Sequence, residues 1–274
     1  MEVHMGAIGT TKDTDSKGTN RFGMTFLALF GLGLLGVLSL IPSVVNQLDI
    51  LPPELADLSA PVAVLISLAN SMVLLAISAA AGTLLAHRVG LRSLVAEYVR
   101  SRRAVWPQLR PYMLKAGALG LLYSVILLVL DHLIDPFAGT ELAVRTLSVS
   151  DIVIQLVAGV FYGGILEEIM LRWGFMTLLV WLGWRFIQRR EGLPKPFLVW
   201  SAIIIAAVLF GIGHLPAMAA LIELTPLIIF RTVLLNALGG LIFGWLYWKH
   251  NLETAMVSHA AVHVGLFVAN LIMM

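Results

Sequence analysis

Apolar runs of about 20 residues or more, separated by short charged connectors, recur from residue 22 to the end of the chain. At ~1.5 Å of rise per helical residue, ~20 apolar residues cross a ~30 Å hydrocarbon core. The pattern predicts an all-α, polytopic transmembrane helix bundle with spans at about 22–45, 62–86, 113–130, 152–182, 197–213, 227–248 and 252–274. Residues 217–226 (AMAALIELTP) are a candidate re-entrant piece, which would make eight membrane segments and change the side of the C-terminus. Residues 1–21 form a polar tail carrying Lys12, Asp13, Asp15, Lys17 and Arg21. The run after it is too long for a signal-peptide core and has no clear small-residue cleavage site, so an uncleaved first span is expected.

Composition strengthens this picture. Of 274 residues, 59% are hydrophobic and 12% charged, whereas a soluble domain carries about 25% charged residues. Mean hydropathy is +0.92. Lipid is therefore the solvent and the first partner. With no cysteine, disulfides, thiolate metal sites and a cysteine nucleophile are excluded. The net charge of +2 comes from cations concentrated in connectors, and it gives no reason to expect nucleic-acid binding.

Those connectors differ in sign. Segment 50–61 (ILPPELADLSAP) is acidic and broken by proline, while 87–112 holds Arg88, Arg92, Arg100, Arg102, Arg103 and Arg110. Within it, LRSLVAEYVRSRRAVW reads either as an amphipathic interfacial helix or as a solvated loop. The loop after the third span carries Asp131, Asp135, Glu141 and Arg145; the connector 183–196 is again basic, with Arg185, Arg189, Arg190 and Lys195. Lys and Arg bias a loop to the cytoplasm. The expectation is a multi-pass protein of the cell membrane with its N-terminus and both basic connectors inside; seven spans leave the C-terminus outside. The chain divides into the tail, N-terminal membrane helices over 22–150 and a C-terminal membrane unit over 151–274. No internal repeat is evident. Gly240 and Gly244 form one G-x-x-x-G match, which reads first as close helix packing.

Charges within the spans need a reason, since each costs at least ~2.5–3.5 kcal/mol at mid-membrane. Glu168 and Arg172 are four apart, on one helix face at pairing distance. Glu167 lies ~100° further round an α-helix, so Arg172 cannot serve both carboxylates equally. This makes Glu168–Arg172 a structural ion pair and leaves Glu167 for chemistry, against the alternative that all three form a structural network. His214 ends the fifth span just before Pro216, and His259 and His263 share one face of the last span. Each histidine alone reads as a hydrogen-bonded packing residue. Together with an unpaired carboxylate, on three separate helices, they suggest convergence in a polar cavity formed by the C-terminal helices.

In order, E-E-I-M-L-R (Glu167 to Arg172), F-G-I-G-H (Phe210 to His214) and H-A-A-V-H (His259 to His263) resemble the motifs of the CAAX-prenyl-protease and bacteriocin-processing family, also called CPBP or Abi. The resemblance covers about 151–270; residues 1–150 match only as membrane helices. It implies glutamate-dependent intramembrane proteolysis without a cofactor, with Glu167 and His214 activating a water and His259 and His263 facing the developing oxyanion. One departure stands out: where the family usually has Asn, four residues after the histidine, this chain has His263, which can still donate from a ring N–H. The implied partner is a peptide or lipidated protein, and prenylated C-termini, bacteriocin precursors and signalling peptides are all compatible with it.

Three other readings compete. His214, His259 and His263 with a carboxylate are ligands that zinc accepts, so a zinc-dependent membrane protease stays open. A non-catalytic scaffold or immunity protein would keep its activity without Glu167 and His214. A transporter with a proton relay needs polar residues along a whole path, and the first three spans offer mainly Asn70 and Ser71.

Overall fold

The computed structural model describes residues 11–46, 58–135 and 148–273, with side chains from residue 21 onward. Among the described residues the chain is all-helical, and seven helices are long and apolar enough to cross a membrane. Residues 1–10, most of the acidic loop 50–61, and Glu141 and Arg145 lie outside the described residues.

Helix α1 (Thr11–Ser39) leads into the short α2 (Ile41–Val45), with Pro42 in its first turn. Part of the expected polar tail is thus helical. Helix α3 (Ala60–Leu85) starts with Pro61, where a missing N–H costs nothing, and runs into a 3-10 turn, Ala86–Val89, ended by Gly90 at φ 73°. Helix α4 (Leu94–Ser101) settles the reading of the basic connector in favour of a helix; Ser93 caps it by accepting from the Ala96 N–H. Helix α5 (Val105–Ile134) is longer at both ends than its apolar run, absorbing Arg110 and Pro111 into its first turns.

The fourth span, Val149–Ile187, is one continuous helix, α6. It begins with a capping box between Ser148 and Asp151. It is not a simple α-helix: Gly159–Glu167, Ile169–Met176 and Gly183–Ile187 are π-helical. The i→i+5 bonding widens each turn, a feature frequent at functional sites. Helix α7 (Pro196–Gly213) ends at His214. Helix α8 (Leu215–Ala219), at five residues, is too short to cross, so 217–226 adds no eighth span. Helix α9 (Pro226–Lys249), capped by Thr225, and α10 (Leu252–Met273) complete the bundle.

Packing depends on small residues where helices meet, because lipid gives apolar faces no drive to associate. The Gly240–Gly244 face of α9 rests on Ala207 and Ile203 of α7, as the motif suggested. Gly120 and Ser124 of α5 meet Ser258, Ala261 and Gly265 of α10, and Gly82 of α3 lies against the buried Trp173 of α6. Many large apolar side chains, such as Leu65, Ile77, Leu114 and Ile204, stay exposed on the outer faces, as a lipid-solvated bundle requires.

At one end of the bundle, α4 plugs the turn between α9 and α10. The buried Glu253 carboxylate accepts from Ser93 Oγ (2.6 Å), Leu94 N (2.8 Å) and Val95 N (3.0 Å), and Leu252 N donates to Arg92 O (3.0 Å). A carboxylate thereby satisfies the N–H groups that the start of α4 leaves without helical partners. Glu253→Ala should lower unfolding free energy by about 3 kcal/mol, since it strands buried donors, and should expose the 87–112 connector to protease. Thermal unfolding in detergent with limited proteolysis checks this.

Candidate active site

Three helices, α6, α7 and α10, carry the singled-out residues, and α9 packs among them. Glu167 sits at the end of the first π-helical stretch of α6, with Glu168 beside it and Arg172 within the second stretch. Arg172 Nη1 lies 3.0 Å from Glu168 Oε1, and both side chains are fully buried. The guanidinium also donates from Nη2 to Gly240 O of α9 (3.2 Å) and stands over the rings of Phe210 at 5.0 Å and Phe243 at 5.4 Å. One cation thus touches α6, α7 and α9, with aromatic faces supplying negative charge where no water does.

The same Glu168 oxygen accepts from His259 Nδ1 of α10 at 2.8 Å. This contact is absent from the sequence reading, which paired Glu168 with Arg172 alone and had no signal for a bond between helices far apart in the chain. A carboxylate paired with arginine is an acceptor, so His259 carries its proton on Nδ1 and turns Nε2 toward Glu167 Oε2, 3.9 Å away. His214 is oriented in the same way. Its Nδ1–H donates to the Phe210 carbonyl (2.8 Å), and its Nε2 lies 3.9 Å from Glu167 Oε1. Each oxygen of Glu167 therefore faces one imidazole, beyond direct hydrogen-bond range in both cases.

His263 stacks on His259 with ring centroids 5.2 Å apart, and His259 stacks in turn on Phe243 at 4.3 Å. Room for the His263 ring comes from Gly159 and Gly163 of α6: a Cβ on Gly163 would lie 2.5 Å from His263 Nε2. Spacing along the chain gave no signal for these glycines.

Glu167, His214, His259 and His263 all line a cavity of about 560 Å³. Its further polar lining includes Tyr123, Gln155, Arg231 and Asn236. Arg231 Nε donates to Asp131 Oδ1 at 2.6 Å. A second, mostly apolar cavity of about 560 Å³ lies between α3, α6 and α7, lined by Leu74, Ile77, Met170 and Phe175 among others. Glu167, His214, Tyr162 and Phe210 border both, so the carboxylate stands where the two spaces meet. Tyr162 was missed because a tyrosine in a span reads as packing. Asn70 and Ser71, the few polar residues of the early spans, adjoin this region: Asn70 lines the second cavity, and Ser71 Oγ is 3.5 Å from the Tyr162 hydroxyl.

Among the described residues, no three His, Asp or Glu side chains are grouped to hold a metal ion. The zinc alternative needs such a group; the bond from His259 Nδ1 to Glu168 leaves its Nε2 open and does not bear on it.

Residues 149–265 match the family described as type II CAAX prenyl endopeptidase Rce1-like. Residues 149–265 form an Rce1-like domain. This agrees with the resemblance carried by the three motifs, and it supports a CAAX-type intramembrane protease in general terms. No curated protein and no solved structure shows a significant match to the chain. The Rce1-like domain begins with α6 and extends into α10, so it contains the four residues around the cavity and the Glu168–Arg172 pair.

Gly163→Ala should displace the His263 ring while leaving the bundle intact. The expected result is an activity loss on the order of 10²-fold with little change in thermal stability, read by comparing turnover and unfolding of the same preparation.

Proposed function

We propose that the protein is an intramembrane endopeptidase in which Glu167 and His214 activate a water that attacks the scissile carbonyl of a membrane-associated peptide. The observation that carries this is Glu167 facing His214 Nε2 and His259 Nε2, each at 3.9 Å, on the wall of a cavity. A gap of that size suits a water bonded to both groups.

The chemistry follows from the proton positions. With His214 Nδ1–H held by the Phe210 carbonyl, its Nε2 is an acceptor that orients one hydrogen of the water. Ionised Glu167 takes the water's other proton as the oxygen bonds to the carbonyl carbon. A carboxylate in apolar surroundings is a stronger base than one in water. Glu167 then delivers that proton to the departing amine, the C–N bond breaks, and a carboxylic acid and an amine result.

The oxyanion needs donors. His263 can supply a ring N–H, while His259, whose proton is on Nδ1 for Glu168, has none on Nε2 and holds the stacked His263 ring in place. Removing one such donor typically costs ~3–4 kcal/mol of transition-state stabilisation. In this reading Glu168 and Arg172 position His259 and α6 and do not touch the substrate. The apolar second cavity offers space beside the base for a substrate's apolar side chains or lipid.

Incubation of the purified protein with prenylated and unprenylated peptides, with product masses read, tests the proposal. Cleavage of at least one class is expected, and it should vanish in Glu167→Gln and His214→Ala without loss of folded protein. Full biological activity in both variants, with no cleavage of any peptide, would favour the scaffold. His263→Ala should lower kcat by about 10²- to 10³-fold, and His263→Asn, which restores an amide donor, should recover most of the loss. Exhaustive chelation should leave turnover unchanged; loss that zinc restores would overturn the metal-free mechanism.

A further inference from the structure

We propose that the catalytic cavity opens on the extracytoplasmic side of the membrane, so that the substrate is a peptide segment exposed on that side. The substrate half of this inference rests on the proteolytic reading; the sidedness does not.

Helix α6 lines the cavity from Gln155 to Glu167 and contributes nothing from its remaining turns to Ile187, and α7 lines it only from Phe210 onward. Ala217, Met218 and Leu221, in and just after α8, continue the wall. Helices α9, from Arg231 to Phe243, and α10, from His259 to Leu266, line it along their middles. The portions of α6, α7 and α8 place the opening toward the end where α5 finishes, α6 begins and α7 passes into α8. At the opposite end the space is floored. Phe243 stacks beneath His259, the Thr177–Tyr247 hydroxyl pair is buried, and Glu253 seals α4 against the α9–α10 turn.

The two ends differ sharply in charge. The floored end carries the six arginines of the 87–112 connector together with Arg185, Arg189, Arg190, Lys195 and Lys249. The open end carries Asp131, Asp135, Asp151 and Glu223, and among the described residues its cation, Arg231, is held by Asp131. Orientation follows Lys and Arg in short loops and near span ends, with acidic residues contributing little. Eleven cations at the floored end place that end in the cytoplasm and the mouth on the far side. A hydrated peptide end arriving from the cytoplasm meets the α4 plug. The second cavity does not change this, since its walls are mostly apolar and suit hydrocarbon.

The absence of cysteine gives a direct test. Single variants Glu223→Cys and Asp135→Cys at the mouth, Asn236→Cys on the cavity wall, and Ser101→Cys and Glu191→Cys at the floored end are expressed in cells and treated with a membrane-impermeant maleimide. The first three should label as fully in intact cells as in permeabilised ones; the last two should label only after permeabilisation. The reverse pattern, or an Asn236→Cys that does not label from outside, overturns the proposal. In a second arm, one cleavable peptide is fused to either end of a membrane anchor. Cutting only at the extracytoplasmic end, abolished by Glu167→Gln, is expected, and cutting at the cytoplasmic end overturns the substrate assignment. Labelling as expected with no cutting at either end counts against the proteolytic reading and leaves the orientation standing.

Discussion

The contact between Arg172 and Glu168 organises the C-terminal half of the bundle. A charge pair buried in a membrane protein persists only when every partner is well placed, because desolvation of each ion costs several kcal/mol. Here the partners come from four helices. Arg172 and Glu168 are on α6, the Phe210 ring on α7, the Gly240 carbonyl and Phe243 ring on α9, and His259 on α10. Moving any one of these helices would take a further partner from a buried pair in which Glu168 Oε2 and Arg172 Nη1 already make no hydrogen bond. The pair therefore sets the relative positions of the helices that carry Glu167, His214 and His263.

That constraint gives two adjacent carboxylates different surroundings. Glu168 is wholly buried and takes both an arginine and a histidine on one oxygen. Glu167 points to the boundary between two cavities, with one imidazole opposite each oxygen at a distance suited to a bridging water. In the proposed mechanism, the first orients a histidine and the second handles the proton. The π-helical turns bear directly on this arrangement. They include Glu167, flank Glu168 and present Gly159 and Gly163 to the His263 ring, which stacks on the His259 that faces Glu167.

Much of this was legible in the sequence for identifiable reasons. Span number follows from run length, since bilayer thickness sets helix length and the chain cannot hide so many apolar residues in water. The pairing of Glu168 with Arg172 follows from four-residue spacing on one helix, a purely local relation. The Gly240–Gly244 face announced close packing, and it packs on α7. Spacing did not disclose the π-helical turns, the role of Gly163 or the bond from Glu168 to His259, because each depends on what a distant segment brings to the same place.

The residue types in the membrane, the spans that hold them and the charge asymmetry of the connectors were therefore determined by sequence alone, since each reflects local spacing or transfer of side chains between water and lipid. Tertiary structure decided which carboxylate meets which imidazole, which ring nitrogen faces each partner and toward which end the cavity opens. Those depend on side chains from α6, α7, α9 and α10 meeting within a few ångströms, and uniformly apolar helix surfaces carry no pattern that says which face will meet which.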